Sequence, residues 1–165
     1  VMPIIDTATR IQAPIERVFD LARSVELHVR SERGRGEEAV AGKTSGLVGM
    51  GDWVTWRARH LGMWRTLTSE VVSFDRPLHF RDSMTQGAFA RFDHDHFFSE
   101  EAGVTVMRDV FDFNSPLGPL GALVDLLLLR RYMAALVDER VYWIKKVAES
   151  DEWHRYLDGL DGLDG

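Results

Sequence analysis

Pro116-Leu117-Gly118-Pro119-Leu120-Gly121 opens the stretch that decides the fold. From Leu120 to about Glu149 no residue breaks a helix, and the apolar side chains form two adjacent stripes. Leu123, Leu127, Ala134, Val137, Val141 and Ile144 make one; Leu126, Leu129, Met133, Leu136, Trp143 and Val147 make the other. A surface helix buries one stripe, so two predict unusually deep burial. Laid across a sheet, such a helix caps a solid core or roofs a cavity. Gly118 and Gly121 are expected to form a hinge-like entry near the mouth.

Upstream of it the pattern has a period of two. Residues 3 to 12 predict a strand, with Ile5, Thr7, Thr9 and Ile11 on one face. Pro14 suits the first turn of a helix carrying Val18, Phe19 and Ala22 inward, and a short helix follows over Glu26 to Ser31. The charged, glycine-bearing segment Ser31 to Gly36 predicts a mobile connection. Then comes a meander: Glu37 to Lys43, Asp52 to Leu61, Trp64 to Phe74, Leu78 to Thr85, Ala90 to Ser99 and Val104 to Phe113. Short connections between successive strands imply antiparallel pairing. The expected class is α+β: a curved antiparallel sheet of about seven strands around one long C-terminal helix, with two short helices after the first strand. Residues 1–149 are expected to form a single domain and 150–165 a flexible tail.

Strand parity places a set of ionisable residues inside. In Val104 to Phe113 the more apolar face holds Thr105, Met107, Asp109, Phe111 and Phe113. The same reasoning turns Phe92, His94, His96 and Phe98 inward, then Phe80, Asp82 and Met84, then Val54, Trp56, Ala58 and His60. Buried ionisable groups cost several kcal/mol unless paired. Five of them (His60, Asp82, His94, His96 and Asp109) among aromatics predict a lined cavity rather than a dry core.

Composition narrows the function. The chain has 165 residues, 45% hydrophobic and 28% charged, enough to bury a real core. A net charge of −6 argues against nucleic acid, whose binding needs a basic face. The absence of cysteine excludes disulfides, thiol catalysis and thiolate metal sites. Leu117 to Leu129, interrupted by Asp125, is shorter than the ~20 apolar residues of a membrane span. Val1-Met2-Pro3-Ile4-Ile5 has neither the basic start nor the long apolar run of a secretory signal, so a cytoplasmic location is expected.

Several motifs together resemble a known superfamily. They are Ala13-Pro14-Ile15-Glu16-Arg17-Val18-Phe19, Asp82-Ser83-Met84-Thr85-Gln86-Gly87-Ala88-Phe89, His94-Asp95-His96-Phe97-Phe98, Thr105-Val106-Met107-Arg108-Asp109-Val110, the 116–121 run and Glu139-Arg140. Over residues 3 to 149 the chain resembles the START/Bet v 1-like (SRPBCC) superfamily with its helix-grip fold. The likeness is closer to bacterial ligand-binding and polyketide cyclase/dehydrase-like members. The resemblance implies an elongated cavity between sheet and helix that holds a hydrophobic small molecule. It carries over no single reaction, because the superfamily contains carriers, transfer proteins, receptors and cyclases.

Two chemistries compete at the inner face. His94 and His96 stand about 7 Å apart along one strand face, a spacing able to chelate a metal with Asp109 or Asp82. A hydrogen-bonded His–Asp network is the reading adopted, and no metal or cofactor is expected. The same groups could transfer protons, with His94, His96 and Asp109 as catalytic candidates. No nucleophile motif accompanies them. Arg140 shares a stripe with Met133, Leu136 and Trp143 and either reaches a cavity anion or snorkels to water. Trp53, Arg57, Arg59 and Arg65 fall on the outer or rim side. Glu32 to Glu38 reads as a solvated loop or part of the cavity entrance.

The expected function is binding of a small aromatic or lipid-like molecule, with a polyketide aromatase/cyclase or dehydratase as the alternative and a partner-regulating module as the third. Trp56, Phe80, Met84, Phe92, Phe98, Met107, Phe111 and Met133 supply the wall. His60, Asp82, His94, His96, Asp109 and Arg140 supply the polar contacts. The partner expected is a small hydrophobic molecule, with no nucleic acid, no membrane span and homodimerisation left open.

Overall fold

The computed structural model describes residues 4–114 and 118–159, with side chains described outside 118–126. The chain runs β1 (Ile4–Ile11), α1 (Ile15–Ala22), α2 (Val25–Ser31), a 3-10 turn (Arg33–Arg35) and β2 (Glu38–Gly42). It continues as β3 (Trp53–His60), β4 (Met63–Asp75), β5 (His79–Gln86), β6 (Arg91–Glu101) and β7 (Val104–Asn114). Then come α3 (Gly118–Ala148), a second 3-10 turn (Asp151–Trp153) and α4 (His154–Leu157).

All seven strands form one antiparallel sheet in the order β1-β7-β6-β5-β4-β3-β2. The β3–β4 hairpin turns on Leu61-Gly62 and the β6–β7 hairpin on Ala102-Gly103, each pair with both φ angles positive. That backbone matches the right-handed twist of the flanking strands. Register shifts between Ala39 and Ala41, Thr68 and Ser69, and Val71 and Ser73 bend the sheet, as bulges do.

The concave face carries the core. Phe19 of α1 meets Phe74, Phe80 and Phe98 edge-on, with centroids 5.1 to 5.5 Å apart. Ser24 caps α2 by accepting from the Leu27 N–H at 3.2 Å. α3 packs on α1, α2 and β1 through Val137, Val141, Ile144, Val147 and Ala148, all buried. Its basic side chains also reach the free edge of β1: Lys145 Nζ donates to the Arg10 carbonyl at 2.6 Å and Arg130 Nη2 to that of Ile4 at 3.5 Å.

Three expectations change. The deep burial expected along α3 holds from Val137 onward, where α1 and α2 pack on it, and not at Leu127. Leu127 and Leu128 are 62% and 64% exposed. The Pro116-Leu117 start and residues 160–165 lie outside the described residues, and the Gly118–Gly121 entry outside the described side chains. Second, the 31–36 connection is pinned: Arg35 Nη1 donates to Glu32 at 2.9 Å and to Glu139 of α3 at 3.0 Å, and Glu32 is buried. Third, the packed chain continues past 149. Tyr156 is buried, with Arg30 Nη1 donating to its hydroxyl at 2.7 Å and to Glu152 at 2.5 Å. No described helix is long and apolar enough to cross a membrane.

Candidate functional site

Three neighbouring strands bring four ionisable side chains together. The β5–β6 register sets Asp82 opposite His94 and Phe80 opposite His96; the β6–β7 register sets His96 opposite Asp109. All four point into the concavity. His94 Nε2 lies 2.9 Å from Asp109 Oδ1, and His96 Nε2 lies 2.9 Å from Asp82 Oδ1. His96 Nδ1 lies 2.9 Å from the same Asp109 oxygen but off the hydrogen-bonding direction. The two imidazoles lie against each other, tilted by 34° with centroids 3.9 Å apart, and Phe80 stacks on His96 at 4.2 Å.

The electrostatics divide the pair. Burial pushes His94 below the ordinary histidine range, and the His96 charge adds to it. Burial acts against the His96 charge too, but its close contact with Asp109 and its hydrogen bond to Asp82 win and raise it. Both carboxyls are held down against burial. Hydrogen bonding to His96 and the nearby histidine charges bring Asp82 to about 2, and bonds from both histidines put Asp109 well below the carboxylate range. His96, the more basic of the two, therefore sits between two carboxylates, beside a His94 whose neutral form is favoured. His94, His96 and Asp109 are buried, whereas the Asp82 side chain keeps 19% of its surface exposed.

Asp82 is the way out of the network. It borders a cavity of about 40 Å³ together with Arg140, Trp56, Phe80, His28 and Ser69. Arg140 is turned inward rather than snorkelling: its Nη2 donates to the Ala22 carbonyl at 2.7 Å, and its charge helps to keep Asp82 ionised. Asp82 also completes a potential ligand set with the histidines, since each of the three offers an atom within 4.8 Å of the others. Asp109 stands behind both rings.

No protein-family model matches the chain, and no curated protein matches it. Solved structures do. TTHA0849 from Thermus thermophilus is similar over 87% of this chain and 95% of its own, at 21% identity and a TM-score of 0.71. A START superfamily protein from Mycobacterium smegmatis is similar over 88% of this chain and 97% of its own, at 10% identity and a TM-score of 0.66. Ginseng major latex-like protein 151 from Panax ginseng covers 84% and 97%, at 13% identity and a TM-score of 0.54. The fold is the START/Bet v 1-like helix-grip fold.

Within the helix-grip frame the expected site residues separate into groups. Phe80, Phe92, Phe98, Met107 and Phe111 are buried in one continuous core, whereas Trp56, Met84 and Met133 are half-buried on its open side. A second space of about 240 Å³ lies between β1 and α3, beside Ile5, Thr7, Leu127 and Arg131. Both spaces are smaller than the ~300–1,000 Å³ of ordinary small-molecule pockets.

His60 does not join the His–Asp network. It pairs with Met63 beside the β3–β4 turn, whereas Asp82 pairs with Val71 eight residues further along β4, and its Nδ1 lies 2.7 Å from the Tyr132 hydroxyl. Burial lowers its pKa. It belongs to a second polar group that sequence reasoning missed: Arg35 bonds Glu32, Glu139 and Tyr132, and His28 Nε2 meets Glu37 at 2.7 Å. The one signal for it was the seven-residue spacing of Tyr132 and Glu139, which puts both on one helix face.

Proposed function

We propose that the chain binds a small, mainly apolar molecule, aromatic or lipid-like, between the concave sheet and α3. The observation that carries this reading is a pair of opposite charges, Asp82 and Arg140, turned into one aromatic-edged cavity. A ligand's polar group would meet that pair while its apolar body lies along Trp56, Met84 and Met133. Half-buried apolar side chains on an inward face are surface that a ligand can finish covering, at about 25 cal/mol per Å². The empty space is smaller than such a ligand, so entry requires α3 to move away from the sheet. Exposed Leu127 and Leu128 mark the helix around them as less tightly packed than the stretch from Val137 onward.

A fluorescent anilinonaphthalene sulfonate titrated into the protein should bind saturably and be displaced by aromatic or fatty acids. Met133→Trp, which fills the open side, should weaken binding about tenfold, and Arg140→Gln should weaken anionic ligands more than neutral ones. If neither substitution changes the titration, the probe sits elsewhere and the reading fails.

One observation favours a second reading, acid–base catalysis of a cyclisation or dehydration on a polyketide-like substrate. Two adjacent histidines with pKa values pushed in opposite directions are the arrangement from which one group donates and another accepts a proton. Protons would reach the cavity through His96 and Asp82. His96→Gln should then abolish turnover of such a substrate and leave apolar-probe binding intact; loss of both together would favour the binding role alone.

A further inference from the structure

We propose that Asp82, His94 and His96 form a binding site for one divalent transition-metal ion of the zinc type, with Asp109 as the residue that orients both imidazoles. Two imidazoles and one carboxylate are a donor set suited to such ions. The sheet itself assembles it: β6 presents both histidines on one face, and pairing with β5 sets Asp82 beside His94. The three donor atoms already lie within 4.8 Å of one another. Ligands on one tetrahedral zinc stand roughly 3.3 Å apart, given bonds of about 2.0–2.1 Å. Small side-chain rotations close that difference.

Asp109 does what a supporting carboxylate does in metal sites. One of its oxygens lies 2.9 Å from His94 Nε2 and 2.9 Å from His96 Nδ1. The hydrogen bond fixes the His94 ring, the close contact abuts the His96 ring, and each leaves the opposite nitrogen for an ion. On His96 the remaining nitrogen, Nε2, already points at Asp82. On His94 the remaining nitrogen, Nδ1, has no hydrogen-bond partner among the described residues. The cluster also leaves polar atoms unbonded. Partly exposed Asp82 and buried Asp109 both face it, and Asp109 Oδ2 and His96 Nδ1 are buried without a hydrogen bond. A doubly charged ion would neutralise both acids.

The fourth coordination position would open through Asp82 toward the cavity shared with Arg140. An ion there could receive an oxygen of a bound ligand, but ion binding does not depend on the apolar-ligand reading.

The full chain, stripped with a chelator and dialysed, should take up one equivalent of Zn²⁺ by calorimetry. With Co²⁺ it should give the visible absorption of a four- or five-coordinate site. Asp82→Asn should weaken uptake at least about tenfold, and His94→Gln should remove it. Asp109→Asn should weaken it roughly 10–100-fold with the cobalt spectrum retained. His154→Gln, at the exposed His154–Asp158 pair, should change nothing. Absence of stoichiometric uptake by the folded wild-type protein would overturn the proposal. So would uptake that Asp82→Asn leaves unchanged, and that variant lies at the partly exposed end of the cluster, where folding is least at risk.

Discussion

Around Arg35 more acid is gathered than one guanidinium can neutralise. Glu32 and Glu139 both accept from it, and the charge of Glu37 bears on Glu32. Burial, and then Glu37, push the Glu32 carboxyl from an ordinary 4.5 up to about 7. The folded state therefore holds this proton more tightly than the unfolded chain does. Its contribution favours folding below about pH 4.5 and fades as pH rises through about 7. Glu32→Gln keeps the shape without the charge. At pH 8 it should be more stable than the wild type by on the order of 1–2 kcal/mol, after allowance for solvent screening, with the gap closing toward pH 5. Urea denaturation across that range checks it, and parallel stability curves for the two proteins would refute it.

At the scale of elements, the two tight hairpins differ from their optimum in the same way. Leu61 and Ala102 each adopt a positive φ of 51° in the first turn position, where a side chain without local hydrogen bonding is strained. Leu61 is also 81% exposed, so it gains nothing from packing. Leu61→Asn should stabilise the protein by about 1 kcal/mol, or roughly 2–4 °C in Tm for a chain of this size. A fall in Tm would show that the turn is held by something other than its own backbone. Strand parity is equally local, and for that reason it was legible in the sequence: the two-residue period alone turned Asp82, His94, His96 and Asp109 inward. The pairing among them was not legible. That His96 lies between two acids while His94 has one depends on cross-strand register. The isolation of His60 depends on the registers of β3 on β4 and of β4 on β5, and neither feature leaves a mark in one strand's own residues.

For the molecule as a whole, element order and the antiparallel pairing of successive strands could be read from turn residues and periodicity, whereas the pairing of β1 with β7 and the extent of the packed unit could not. The segment after Ala148 reads as polar, but Trp153 lies under the Arg17 guanidinium at 4.2 Å and Tyr156 enters the core. A low local hydropathy hides two aromatics whose partners are more than 120 residues away. Tyr156→Ala should cost about 2–4 kcal/mol, from lost burial and the lost Arg30 hydrogen bond. A loss below about 0.5 kcal/mol in chemical denaturation would return the segment to the status of a loose tail. The charged turn at 31–36 follows the same logic, since its order comes from Glu139 on a helix distant in the sequence.

The basic side chains that α3 lays along β1 have a consequence beyond packing. An open sheet ends in unpaired backbone groups, and those groups recruit strands from other molecules. The β2 end is short and bulged, a poor template. The longer β1 end is blocked by Lys145 and Arg130. Lifting α3 to admit a ligand would withdraw part of that blockade. On the proposed binding function, loading and aggregation would be coupled: the protein would be most open to self-association while its ligand exchanges, and the filled, reclosed molecule would be the form best suited to a crowded solution.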